Sequence, residues 1–350
     1  MTKKTNTTLF QNLSPVSLGL IALYILFASV VLWQFILPFK AERHFRDGYN
    51  FHMMKRYTFA IEELETAISY APWESHYMVQ LGRSYEEHAK RQPTKKRKVA
   101  YWLKLIDLYK HMLTLDDRNP WFQNRLAIAY EELRTLVPEQ SKEYSERVHY
   151  HTKKAADLDF KNPLFQLNYA SYLHRNNRHD EAITFYERVI SYDGRMVAAR
   201  YNLADIYRKR GDMDKVMELY LEAHKIDPTF GNLNLALASE YLKRKEKDKA
   251  VPFLEGAIEK KPKQLEPLKT LGSIYYQKED WENVIRVYKK IVTLFPKQYT
   301  FHQFYVQGLV KTNRIKEALS SLEAHIKKHP DDKIAKQQYR QIANALSKAK

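Results

Sequence analysis

The sequence predicts an all-α protein: a solenoid of about eight helix-turn-helix units preceded by one transmembrane helix. Three observations predict it. A small residue recurs every 34 positions as Ala170, Ala204, Ala238 and Gly272, with Val306 in the next slot. A large residue follows each of them three positions later, as Leu173, Tyr207, Tyr241, Tyr275 and Leu309. No charged residue lies between Lys4 and Lys40. A sustained period of this length marks supersecondary units that must stack to bury their apolar faces, and such arrays hold partners rather than perform chemistry.

Residues 1–15 read as a short polar tail and residues 16–38 as a membrane anchor. Val16 to Leu37 is a nearly uninterrupted apolar run, long enough to cross a hydrocarbon core of about 30 Å as a helix. Pro15 suits the first helical turn, Pro38 ends the run, and Trp33 and Phe35 fall where an interfacial aromatic belt lies. A cleaved signal peptide fits less well, because the run is too long for its apolar core and no small-residue cleavage site follows. Orientation stays open. Lys3 and Lys4 favour a cytoplasmic N-terminus, whereas Lys40, Arg43 and Arg46 favour a cytoplasmic C-terminal side.

The unit Val197–Phe230 shows the repeat most clearly. Leu203, Ala204 and Tyr207 form one stripe, Gly211-Asp212 mark the turn, Val216, Tyr220 and Ala223 form a second stripe, and Asp227-Pro228 stop the chain. Neither helix can bury its stripe alone, so neighbouring units have to pack on it. The small slot continues backwards as Ala127, Gly82 and Gly48, and the terminating prolines are Pro72, Pro228, Pro262, Pro296 and Pro330.

These residues resemble the tetratricopeptide repeat over residues 41–332. The resemblance implies a right-handed solenoid, with repeats near 41–74, 75–119, 120–162, 163–196, 197–230, 231–264, 265–298 and 299–332. It also implies that many of the 25 tyrosines are packing pieces filling the space that the small residue leaves. Residues 333–350 then read as the polar capping helix such arrays need, with Ala335, Tyr339, Ile342 and Leu346 on its apolar face.

Two repeats break the beat. Gly82 to Ala127 is 45 residues and Ala127 to Ala170 is 43, so the second and third repeats carry insertions within Glu86–Lys104 and Glu131–Val148. The first is strongly basic, with Lys90, Arg91, Lys95, Lys96, Arg97 and Lys98 around Pro93. It reads either as a docking edge for an acidic partner or for lipid head groups close to the anchor, or as a solvated, partly disordered turn.

The net charge of +17 suits anionic partners and is equally the charge of a merely soluble surface. An N-terminal anchor fits poorly with a nuclear-localisation reading of Lys95–Lys98, and nucleic acid is not an expected partner. There are no cysteines, which excludes a disulfide framework, a thiolate metal site and a cysteine nucleophile. No phosphate-binding loop, dinucleotide fingerprint, zinc-protease motif or nucleophile elbow occurs. His149 and His151 point to different sides of a helix, and His174 and His179 lack clustered carboxylates. Neither an enzyme, a cofactor nor a metal is expected.

In tetratricopeptide arrays the first helices line a concave groove. The resemblance carries groove positions onto Asn168, Ser171, Arg175, Tyr201, Asn202, Asp205, Arg208, Lys209, Ser239, Lys243, Lys269, Tyr276, Gln303 and Lys311. Asn168 and Asn202 match an asparagine that grips a ligand backbone in some members, while Ala236, Thr270 and Phe304 interrupt that ladder. The groove thus reads as basic, for an acidic or extended protein or peptide. A second stretch, Ala71-Pro72-Trp73-Glu74 with Tyr77 and Leu81-Gly82-Arg83, is similar to the repeat extension of bacterial O-antigen ligase and polymerase-like proteins, whose other membrane helices are missing here. That resemblance implies a bacterial plasma-membrane scaffold with outward-facing repeats serving envelope or surface polysaccharide assembly. The alternatives are a cytosol-facing receptor or chaperone-docking protein, and a non-catalytic subunit of a transferase.

Overall fold

The computed structural model describes residues 14–296 and 299–348, and every regular element among them is helical. The polar tail expected over residues 1–15 lies almost wholly outside the described residues, as do Ala349 and Lys350. The chain divides into two compact units, with the boundary between Tyr172 and Leu173.

In the first unit, α1 (Pro15–Val31), a π-helical turn (Leu32–Ile36) and α2 (Leu37–Met53) form one continuous helix of 39 residues. Pro38, which ends the apolar run, does not end the helix. The reason is the π turn. The N–H of Leu37 reaches back five residues to the carbonyl of Leu32, which widens the ladder just where the proline ring would strike a carbonyl. The apolar segment thus passes without a break into the first repeat, where Ala41 and Gly48 are buried.

The same unit continues with α3 (Tyr57–Tyr70), α4 (Ser75–Arg91), α5 (Lys95–Leu115), α6 (Pro120–Leu136), α7 (Ser141–Leu158) and the start of α8 (Pro163–Arg175). The second unit holds α9 (His179–Tyr192), α10 (Val197–Arg210), α11 (Met213–Ile226), α12 (Leu233–Lys243), α13 (Lys247–Lys260) and α14 (Leu265–Gln277). It ends with α15 (Trp281–Leu294), α16 (His302–Lys311), α17 (Ile315–Lys328) and α18 (Lys333–Lys348). On α18, Ala335 is buried, and Tyr339 and Ile342 pack on the core of the last hairpins.

The small residue has a steric cause. A Cβ on Gly82 would lie 2.7 Å from the hydroxyl of Tyr109, and one on Gly272 would lie 2.9 Å from the ring of Tyr288. In each case the tyrosine comes from the second helix of the same hairpin and fills the gap.

The regular hairpins turn on one residue in the left-handed region, seven positions after the small residue: Lys55, Asn177, Gly211, Lys245, Glu279 and Asn313. Such a residue ends a helix by redirecting its last carbonyls. The equivalent positions in the two interrupted repeats, Ala89 and Arg134, stay helical. The chain there keeps winding, so the insertions lengthen helices instead of forming loops. α4 and α5 have 17 and 21 residues against 14 each in α10 and α11. Only Gln92–Thr94 connects α4 to α5, and Pro138–Gln140 forms a 3-10 turn before α7. A partly disordered basic turn is not what forms.

Candidate partner-binding groove

In the second unit the first helices of successive hairpins leave an open cleft between α12 and α14 of about 810 Å³. Leu235, Ala238 and Leu242 form one wall, Leu265, Pro267 and Thr270 the other, and Leu254 of α13 the floor, with Ser239, Lys243, Gln264 and Glu266 on the rim. Two local features open it. Ala238 is small, and α12 starts late because Gly231 takes a left-handed conformation (φ 50°) and delays helix initiation to Leu233. An apolar floor with a few polar rim groups is the usual composition of a recognition pocket.

The structure uses most of the predicted groove cations internally. Lys243 donates to the buried carboxylate of Glu240 at 2.8 Å, and Lys269 to Glu266 at 2.8 Å. Asp205 gathers Arg208, Lys209 at 3.3 Å and His174 at 3.2 Å. Burial pushes the Asp205 carboxyl up, but its hydrogen bonds from Lys209 and Arg208 win and hold it below its ordinary value. Burial, reinforced by Lys209, lowers His174 despite Asp205. Tyr201 packs on Tyr220 and Phe230 at ring distances of 5.5 and 5.8 Å. Tyr276 donates to Gln307 at 2.9 Å.

The two asparagines part company. In the first unit Asn168 donates its amide to Asn124 at 2.8 Å, which commits one of the donors a ligand backbone would use. Asn202, half-buried on α10, makes no side-chain hydrogen bond among the described residues. Arg175 closes α8.

The basic insertion resolves into two groups. Lys90 pairs with Glu86 and Glu87 at 2.7 and 3.2 Å, and the Arg91 guanidinium lies 4.8 Å from the centre of the Tyr57 ring. Lys95, Lys96 and Arg97 are exposed and Lys98 half-buried in the first turn of α5, with no carboxylate in ion-pair range among the described residues. Tyr77 donates to Glu42 at 3.0 Å and His52 meets Ser84 at 2.9 Å, so α2 and α4 run parallel, away from the apolar segment. At 1.5 Å per residue, the Gln92–Thr94 connection sits about 30 Å beyond Pro38. The cluster thus stands several screening lengths from the apolar stretch.

Two features escaped sequence reasoning. The first is the cleft, whose wall residues look like ordinary stripe positions until the spacing of α12 and α14 is known. The second is a repeated half-buried bond: Tyr85 donates to Glu65 at 2.5 Å and Tyr275 to Glu255 at 2.9 Å. In both pairs the glutamate stands 20 residues earlier, a separation that could have flagged them. Burial, aided by the glutamate, pushes the Tyr275 hydroxyl up to about 12. Among the described residues no group of three His, Asp or Glu side chains is placed to hold a metal ion.

The tetratricopeptide repeat family model matches residues 173–223, from the end of α8 through most of α11. No curated protein matches the sequence. Among solved structures, a tetratricopeptide repeat protein from Parabacteroides merdae is 14% identical, covering 77% of this chain and 99% of its own, with a TM-score of 0.49. PilF from Pseudomonas aeruginosa is 14% identical over 69% of this chain and 97% of its own, with a TM-score of 0.47. YrrB, described as a repeat protein with an unusual peptide-binding site, is 17% identical over 54% of this chain and 97% of its own, with a TM-score of 0.39. The family's sequence is matched over residues 173–223, and the hairpins of both units fill the same residue slots, so this chain is similar to tetratricopeptide repeat proteins.

Proposed function

We propose that the chain is a single-pass, membrane-anchored scaffold that holds an extended protein or peptide segment in the groove of its second unit. The observation that carries the reading is the open, apolar-floored cleft between α12 and α14. It is deep enough for one or two apolar side chains, and Ser239 and Lys243 stand on its wall and rim to receive peptide carbonyls or a carboxylate, while the Thr270 hydroxyl, which donates to the Glu266 carbonyl at 3.0 Å, is left to accept. Asn202 offers an uncommitted amide on α10. Since Lys243 and Lys269 already face carboxylates, selection rests on apolar fit first and on acidic character second. The anchor is the apolar stretch of the 39-residue N-terminal helix, which is long and apolar enough to span a bilayer. No catalytic step belongs to this reading.

The test fills the cleft. Full-length protein in detergent micelles is screened against an array of extended peptides, and each peptide retained is titrated against the Leu242→Arg/Thr270→Arg variant. At least a tenfold loss of affinity is expected. Equal affinity for both proteins would remove the cleft from the function.

A further inference from the structure

The helical hairpins of the first unit alternate in direction, so the connections α3–α4, α5–α6 and α7–α8 all return to the end at which the apolar helix arrives. That edge carries large apolar side chains out in solvent. Phe39 is 77% exposed, Trp73 42%, Leu115 53%, Trp121 48%, Phe160 56% and Leu164 38%. Trp73, in the α3–α4 connection, rests on Trp33 of the π turn with ring centres 5.1 Å apart. Trp33 belongs to the apolar run itself. The connection therefore reaches a depth inside the stretch read as spanning the bilayer, not merely its end.

We propose that this edge of the first unit is a lipid-facing surface, seated in the head-group and upper acyl region of the bilayer that the anchor crosses. The inference rests on the membrane-anchor reading and adds a second contact to it. Tryptophan, phenylalanine and leucine at this depth are the residues that partition into a bilayer interface. Single exposed apolar residues need no explanation, but a row on successive connections along one edge does.

The charges define the lipid. Arg118 and Lys161 stand beside Glu74, Asp116, Asp117 and Asp159 in the same connections, and Asp116 and Asp159 accept from Asn119 and Asn162 at 2.9 and 3.1 Å. The edge thus has no excess of positive charge, so apolar partitioning drives the contact and zwitterionic lipid suffices. The strongly basic end of the unit is the opposite one. A continuous helix from Pro15 to Met53 with a docked edge would hold the first unit upright on the membrane.

The absence of cysteine makes the test clean. Leu115→Cys, Phe160→Cys, Leu23→Cys and Lys96→Cys are each labelled with a nitroxide in the full chain and reconstituted in phosphatidylcholine nanodiscs. Collision with oxygen and with a water-soluble nickel chelate reports depth. The labels at 115 and 160 are expected to meet nickel several-fold less often than the label at 96, at a depth between water and the label at 23. If 115 and 160 match 96 while 23 is in hydrocarbon, the edge is not docked and the inference falls while the anchor stands. If the label at 23 is in water, the anchor reading fails and takes this one with it.

Discussion

The two units use one hairpin plan and differ in where the plan is interrupted. In the second unit every hairpin among α10–α17 turns on a left-handed residue seven positions after the small one, and the regular stacking leaves a groove with a cleft in it. In the first unit two hairpins skip that residue, and their helices run on for about five turns in all at the end away from the apolar segment. The same length change has left the other end, with its exposed tryptophans, in register with the apolar helix. Regular repeats make a surface for one kind of partner, and irregular ones displace charge and apolar side chains to opposite edges.

The largest effect tests whether the lengthened α4–α5 hairpin is core or appendage. Trp102 lies within the inserted region of α5 and is 1% exposed. Trp102→Ala is expected to cost about 3–5 kcal/mol in denaturant unfolding of the full chain. A cost below about 1 kcal/mol would mean that the extension is draped on the unit and not built into it.

This hairpin also shows how far the sequence was legible. The period located the small slots, and the resemblance implied that tyrosines fill them, but that Tyr109 fills the slot at Gly82 and Tyr288 the one at Gly272 is visible only in three dimensions. The insertion was visible as a count between Gly82 and Ala127, but its form was not, because Ala89 and Arg134 carry no mark that says helix where Gly211 and Asn177 say turn. The passage of the helix through Pro38 was hidden for a related reason: a π turn five residues long can absorb a proline, and Leu32–Ile36 contains nothing that announces one. Asn168 matched a ligand-gripping slot by type, and only the approach of α6 shows that Asn124 takes its amide. The site depended on distances between helices, which a one-dimensional pattern does not carry.

A smaller effect, shared by both units, comes from histidines buried without charge. His151 of α7 bonds Gln123 at 2.7 Å and His302 of α16 stacks on His325 at 4.1 Å. Burial, then neighbouring cations at His151 and His325 at His302, lowers each to about 4. With the folded value below the unfolded one near 6.5, the unfolded chain binds more protons across this window. Stability is therefore full above about pH 6.5 and is lost as the pH falls towards about 4. Asp205, Glu317 and Asp332, which are held below their ordinary values, act in the same direction at still lower pH. The melting temperature is expected to drop by several degrees between about pH 7 and pH 5, and less steeply in a His151→Gln/His302→Gln variant. A flat profile over that range would show that these histidines are hydrated in the folded protein.

The smallest expected change in stability bears most directly on the contrast between the units. Helix N-termini favour carboxylates, yet α5 opens with Lys95, Lys96, Arg97 and Lys98 and has no acid in its first turn. Thr94 caps the Arg97 N–H at 3.4 Å, so the helix is started properly and then charged against its own dipole. Lys95→Glu/Lys96→Glu is expected to raise stability by about 0.3–1 kcal/mol per site at low salt, an advantage that shrinks as salt is added. Thermal melts of the variant at low and high salt give the sign: a loss of stability would mean that the four cations have carboxylate partners in solution, and the first unit would then offer no free charge at its distal edge.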